Sequence, residues 1–157
     1  MVVIRAGRPA DARALARMIS DFNVEEGSPG RLTEAGLIDL CFSAKPSFQT
    51  VVADDQGTVV GYALVMGYFD TEPCAWGSYM QDLFVARTRR SEGIGRRLIA
   101  AVAKSALDQG HAALFWHVRD HNARGRAFYA SIGGIEQTPI PVALAQAAML
   151  ALAKDAD

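Results

Sequence analysis

Met80-Gln81-Asp82-Leu83-Phe84-Val85-Ala86-Arg87-Thr88-Arg89-Arg90-Ser91-Glu92-Gly93-Ile94-Gly95-Arg96-Arg97 is the stretch that decides the fold. An apolar strand runs into a basic turn, and the turn opens a helix with Ile94, Leu98, Ile99, Val102 and Ala106 on one face. Backbone N–H groups at a helix N-terminus point outward and carry partial positive charge, which makes a seat for phosphate. Gly93 and Gly95 leave room for a ligand against the main chain. Arg87, Arg89, Arg90, Arg96 and Arg97 put five of the chain's sixteen basic residues in eleven positions, a local anion trap in a protein of net charge -1. Neither the Walker pattern nor GxGxxG occurs, which weighs against a triphosphate cradle and a Rossmann dinucleotide site. What remains is Arg-x-x-Gly-x-Gly at Arg90, Gly93 and Gly95, a pattern short enough also to be a plain solvated turn.

Outward from this segment the pattern is that of one mixed α/β domain over residues 1–157. On the N-terminal side, Val2 to Ala6 reads as a strand, and Pro9-Ala10-Asp11 opens an amphipathic helix carrying Ala14, Leu15, Met18, Ile19 and Phe22. Thr33 is the N-cap of a second helix reaching about Ser43. Phe48 to Ala53 and Thr58 to Phe69 flank the turn Asp54-Asp55-Gln56-Gly57, a hairpin signal, and Trp76 to Ala86 is the next strand. On the C-terminal side, a strand is expected over Ala112 to Val118 and a helix from Asn122 to Ile132, stopped by Gly133-Gly134. From Pro139 onward a short strand and an alanine-rich helix, about Ala145 to Ala153, are expected.

Half the residues are apolar and 21% are charged, the composition of a globular protein with no overall basic excess for nucleic acid. Cys41 and Cys74 lack CxxC spacing, which suits a reducing compartment. His111, His117 and His121 have too few acidic companions for a metal site. Met1 to Arg5 is too short for a signal peptide, and Gln137 to Ala153 is too broken by prolines to span a bilayer, so a cytoplasmic location is expected.

The segment Met80 to Leu98 resembles the coenzyme A-binding motif of the GNAT N-acetyltransferase family. Trp116-His117-Val118, Asn122, Ala127-Phe128-Tyr129 and Gly133 resemble the family's later motif, in which an Asn opens a helix and a Phe-Tyr pair follows on it. Ile4-Arg5 with Pro9-Ala10-Asp11 resembles its opening, and Gln81-Asp82-Leu83-Phe84-Val85 is most similar to the diamine and polyamine branch. The resemblance implies a mixed sheet of about six or seven strands flanked by about four or five helices.

It also implies roles. Leu83, Phe84 and Val85 offer backbone groups to the pantetheine arm of acetyl-CoA; Arg90, Ser91, Glu92, Gly93, Ile94 and Gly95 hold the pyrophosphate. Asn122, Arg124 and Gly125 line the other side of the arm, and Tyr129 protonates the leaving thiolate. A tyrosine hydroxyl, with a pKa of about 10, holds that proton at neutral pH. Gln81 and Asp82, with Glu25 and Glu26, are expected at the acceptor amine, Asp82 as a route for its proton. Polyamine relatives often carry Glu where this chain has Gln81, and an amide neutralises no amine, so the small-molecule acceptor stays open. A protein or peptide acceptor, a non-catalytic acyl-CoA sensor and a homodimer built on the apolar last segment are open alternatives. The plainer alternatives are an N-cap alone for Asn122 and a core aromatic for Tyr129, against which the motif context favours the catalytic role of Tyr129.

Overall fold

A computed structural model of the chain describes residues 1–28, 30, 32–137 and 143–153. The chain divides into two compact units, Met1–Arg119 and Asp120–Asp157.

The first unit holds five strands in the order β1-β2-β3-β4-β5. They are β1 (Val2–Ala6), β2 (Gln49–Asp55), β3 (Thr58–Asp70), β4 (Ala75–Val85) and β5 (Ala113–Phe115), with helices α1 (Ala12–Glu25), α2 (Glu34–Phe42) and α3 (Ile94–Asp108). The first four strands pair antiparallel and β5 joins β4 in parallel. The hairpin at Asp54–Gly57 forms because Gln56 and Gly57 both take positive φ, 54° and 90°, the twist-matched geometry of a two-residue turn. Thr33 caps α2 by accepting from the Gly36 N–H at 3.1 Å.

Each face of the sheet has its own apolar cover. Leu15, Met18, Ile19, Leu37 and Cys41 of α1 and α2 pack with Val52, Tyr62, Leu64 and Phe84. Ile94 and Leu98 of α3 pack with Ala53 and Val60, flanked by Leu83 and Val85. Phe84 and its neighbours Leu83 and Val85 thus alternate across the sheet.

Two departures of β4 from regularity position the site. On the β3 side, Leu64 faces Asp82 and Val65 faces Met80, so Gln81 is the extra residue of a bulge. On the β5 side, pairing starts at Gly77↔Ala113 and stops at Tyr79↔Phe115, while β4 runs on to Val85. The strand expected over Ala112 to Val118 is therefore shorter, because the chain leaves β4 after Phe115 and has no ladder partner there. The described sheet has five strands rather than six or seven. The strand expected from Pro139 begins outside the described residues.

The second unit contains α4 (Ala123–Ser131) and α5 (Gln146–Leu152). Gly133, at φ 92°, ends α4 in the left-handed conformation that favours glycine. Both helices fall within the sequence expectation.

Candidate active site

The open flank of β4 follows from ladder geometry. The Ala86 N–H donates to the Val60 carbonyl at 3.0 Å, and the Phe84 carbonyl oxygen lies 3.0 Å from where a Cβ on Gly61 would stand. In an antiparallel pair alternate residues bond across, so Phe84 and Ala86 direct their peptide groups at β3 and Leu83 and Val85 direct theirs away. That outward side is where β5 has stopped. Leu83 and Val85 accordingly direct their peptide groups to that open side, where the Val85 carbonyl accepts from Arg90; the Phe84 peptide faces β3 and its ring is core.

Beyond β4 the chain turns through Ser91 at φ 69° and Gly93 at φ 75° into α3. No side chain caps α3 at Gly93, and its first i to i−4 bond is Arg97 N–H to the Gly93 carbonyl, at 3.2 Å. Helix geometry therefore gives the N–H groups of Ile94, Gly95 and Arg96 no partner within the helix.

The arginines around this turn are a correction to the anion trap read from composition. Arg87 Nε donates to Glu25 at 2.7 Å, Arg89 binds Glu92 and Asp55, and Arg97 donates to the Val2 carbonyl. Arg90 donates from Nε to the Val85 carbonyl at 2.9 Å and from an Nη to Glu25 at 2.9 Å, with its guanidinium 5.3 Å above the Phe84 ring. Guanidinium groups crowded at a strand end take carboxylates and carbonyls as partners, so most of this charge is balanced from within. Arg90 is a strut joining the turn to β4 and α1, and Glu92 is held by Arg89. The remaining feature for an anion is the backbone amide cluster, with exposed Arg96 in the first helical turn.

On the acceptor side the bulge reorders the strand. Met66 faces Tyr79 and Leu64 faces Asp82 across β3, so Tyr79 and Asp82 share one sheet face although three residues apart. A regular strand would put them on opposite faces. Asp82 is half-buried, and the Tyr62 hydroxyl donates to it at 3.4 Å. Burial pushes its carboxyl above the usual range, against the smaller opposing pull of that hydrogen bond. Tyr79 is raised first by burial and then by the Asp82 charge, and its hydroxyl lies 2.8 Å from His117 Nδ1. Among the described residues Asp82 belongs to no ion pair. Gln81 is exposed on the bulge.

Glu25 and Glu26 stand at the end of α1, where the helix dipole disfavours anions. Burial pushes Glu25 upward, but Arg87 and Arg90 outweigh it and hold its carboxyl below the usual range. Glu26 pairs with Arg119, just past β5. Both acids expected at the amine thus carry internal counter-ions. Sequence reasoning missed Tyr62, Tyr79 and Arg119; the bulge that aligns Tyr79 with Asp82 leaves no mark in a period-two pattern.

In the second unit the Asn122 side chain accepts from the Gly125 N–H at 2.9 Å, capping α4. A Cβ on Gly125 would stand 2.8 Å from that amide, so glycine there makes room for the cap. Arg124 lies exposed in the first turn, and Tyr129 is half-buried with its ring 5.3 Å from that of Phe128.

Comparison with known proteins identifies the fold and the family. The chain matches the Acetyltransferase (GNAT) family over residues 13–133. It is 29% identical over 150 residues to a thialysine N-epsilon-acetyltransferase of Bos taurus, covering 87% of this chain and 86% of that protein. It is 32% identical over 75 residues to an L-ornithine N5-acetyltransferase of Arabidopsis thaliana, covering 48% and 33%. An integron cassette protein from V. cholerae superposes with a TM-score of 0.82 at 23% identity over 98% of both chains, a likeness of fold. With the family match spanning most of its length, this chain belongs to the GNAT acetyltransferases.

Proposed function

We propose that the protein transfers the acetyl group of acetyl-CoA to a primary amine of a small molecule by direct attack in a ternary complex, the whole chain acting as one acetyltransferase. The carrying observation is the open β4 edge at Leu83 and Val85, which runs toward the uncapped start of α3. An extended ligand with amide groups and a terminal pyrophosphate suits that pair of features: strand N–H and C=O groups for the arm, helix N–H groups for the anion. When bound, acetyl-CoA supplies the activated acyl carbon. The relatives named for thialysine and ornithine support a small amine as acceptor.

The chain's own residues then divide the work. The amine nitrogen bonds to the acetyl carbon as the carbon–sulfur bond breaks. An alkylammonium must first lose a proton, and Asp82, half-buried and without a counter-ion among the described residues, receives it directly or through water. The Val85 N–H polarises the acetyl carbonyl. Tyr129, assigned from the family motif, returns a proton to the departing sulfur. Cys41 and Cys74 are not needed, since no acyl-enzyme forms.

The test is free-thiol release from acetyl-CoA against polyamines, amino acids, aminoglycosides and short peptides, with calorimetry of acetyl-CoA binding alongside. Amine-dependent release with measurable binding supports the reading. Absence of any acyl-CoA binding defeats it, and binding without turnover on every amine leaves a sensor in its place.

A further inference from the structure

Resting on that amine-acetylating reading, we infer that Arg119, paired with Glu26, is a specificity determinant that selects acceptors carrying a carboxylate on the chain that bears the amine. The preferred class is then the side-chain amines of dibasic amino acids, ahead of the diamines that lack only the carboxylate.

The location follows from register. β4 and β5 run parallel with Tyr79 beside Phe115 as their last pair, and beyond it His117–Arg119 part from the residues that continue β4, Met80 to Val85, leaving a gap. The Tyr79–His117 contact ties the two sides at its base. Glu26 reaches the same gap from α1: its neighbour Glu25 holds Arg90, and Arg90 covers Phe84, which shares a sheet face with Asp82. The Glu26–Arg119 pair therefore ties the end of α1 to the chain just past β5, on the side of the sheet that Asp82 faces.

Charge balance then selects the ligand. Glu25 is matched by Arg87 and Arg90 and Glu26 by Arg119, whereas Asp82 is in no ion pair among the described residues. One cation is accommodated there. A second ammonium, as in a diamine, meets in Glu25 and Glu26 carboxylates that already hold arginines. An amino-acid head group carries one charge of each sign, and the Glu26–Arg119 pair offers the complement of each. Among the described residues Arg119 donates to Glu26 through Nε alone, and its side chain is 56% exposed, so its Nη donors remain for a ligand carboxylate. The guanidinium fork suits that partner better than a lysine ammonium.

Matched pairs of acceptors isolate the carboxylate: lysine against cadaverine, and ornithine against putrescine, at saturating acetyl-CoA. The wild type is expected to favour each amino acid by about tenfold or more in kcat/KM, the scale of one charge-assisted hydrogen bond. Arg119→Gln should remove that preference, mainly through the amino-acid KM, while the diamine holds or improves because Glu26 is released as a free anion. Arg119→Lys should restore part of the preference. Equal loss on both members of a pair, or no preference in the wild type, overturns the inference and leaves amine acetylation standing. No turnover of any amine overturns both. The melting temperature of Arg119→Gln, expected near that of the wild type, excludes simple misfolding.

Discussion

The starts of α3 and α4 look alike in sequence: each has glycine and arginine in or beside its first turn, and each resembles a coenzyme-contacting motif. Their local chemistry differs. At α4 the Asn122 side chain accepts from the Gly125 N–H, so one of the outward donors is used by the protein itself. At α3 the corresponding place is Gly93, which has no side chain to offer, and no cap bond forms. A helix start that supplies its own acceptor is stabilised by it; one that withholds an acceptor keeps its donors for a ligand.

Several substitutions press on that contrast. Gly93→Asp places a carboxylate at the open start, in a conformation Asp tolerates better than most residues. Acetyl-CoA affinity should fall about a hundredfold by calorimetry, the loss of a pair of charge-assisted hydrogen bonds. An affinity within threefold of wild type would show that the open donors are not the anion seat. Tyr129→Phe should lower kcat at least about tenfold and leave acetyl-CoA affinity intact if, as proposed, α4 carries the proton donor and α3 the anion seat. Asn122→Ala should cost about 1 kcal/mol in denaturant unfolding, with acetyl-CoA affinity within about twofold. A large affinity loss there would return Asn122 to the coenzyme.

Asp82 gives the smallest change in stability and a distinct pH signature. Its carboxyl holds a proton to higher pH in the folded protein than in the unfolded chain, where it titrates near 3.9. The folded state therefore binds more protons between those two values. Asp82 penalises folding once both forms have ionised and not below pH 3.9. Asp82→Asn should accordingly raise the melting temperature at pH 7, with the gain shrinking as pH falls through the carboxylate range. The same variant should slow turnover and abolish the acid limb of the pH–rate profile, set above the usual carboxylate range.

Most of the fold was legible because period and punctuation agree. The β2–β3 hairpin follows from Asp54–Gly57, α2 from Thr33, and the α3 face from its apolar stripe. Of the candidate site, the backbone features were legible: an outward strand edge at Leu83 and Val85 and a helix start at Gly93 with no side-chain cap. It was hidden where partners come from afar: nothing near Arg90 announces Glu25, 65 residues earlier. The end of β5 at Phe115 was equally hidden, since the apolar run continues through Trp116 and only the loss of a neighbour stops the strand.

Gln81, one supernumerary residue, sets the phase of all that follows it in β4. Upstream, the Trp76 carbonyl accepts from the Ala112 N–H, so even-numbered peptides face the β5 side; downstream, odd-numbered Leu83 and Val85 do. Drawing Gln81 into the ladder as an ordinary pair would act in space as a frameshift acts in a message. Every later residue of the strand would trade faces, Asp82 would turn toward α3, and the outward peptides would be spoken for by β3. The strand could keep its composition and its length and still turn Asp82 and the outward peptides of Leu83 and Val85 away at once.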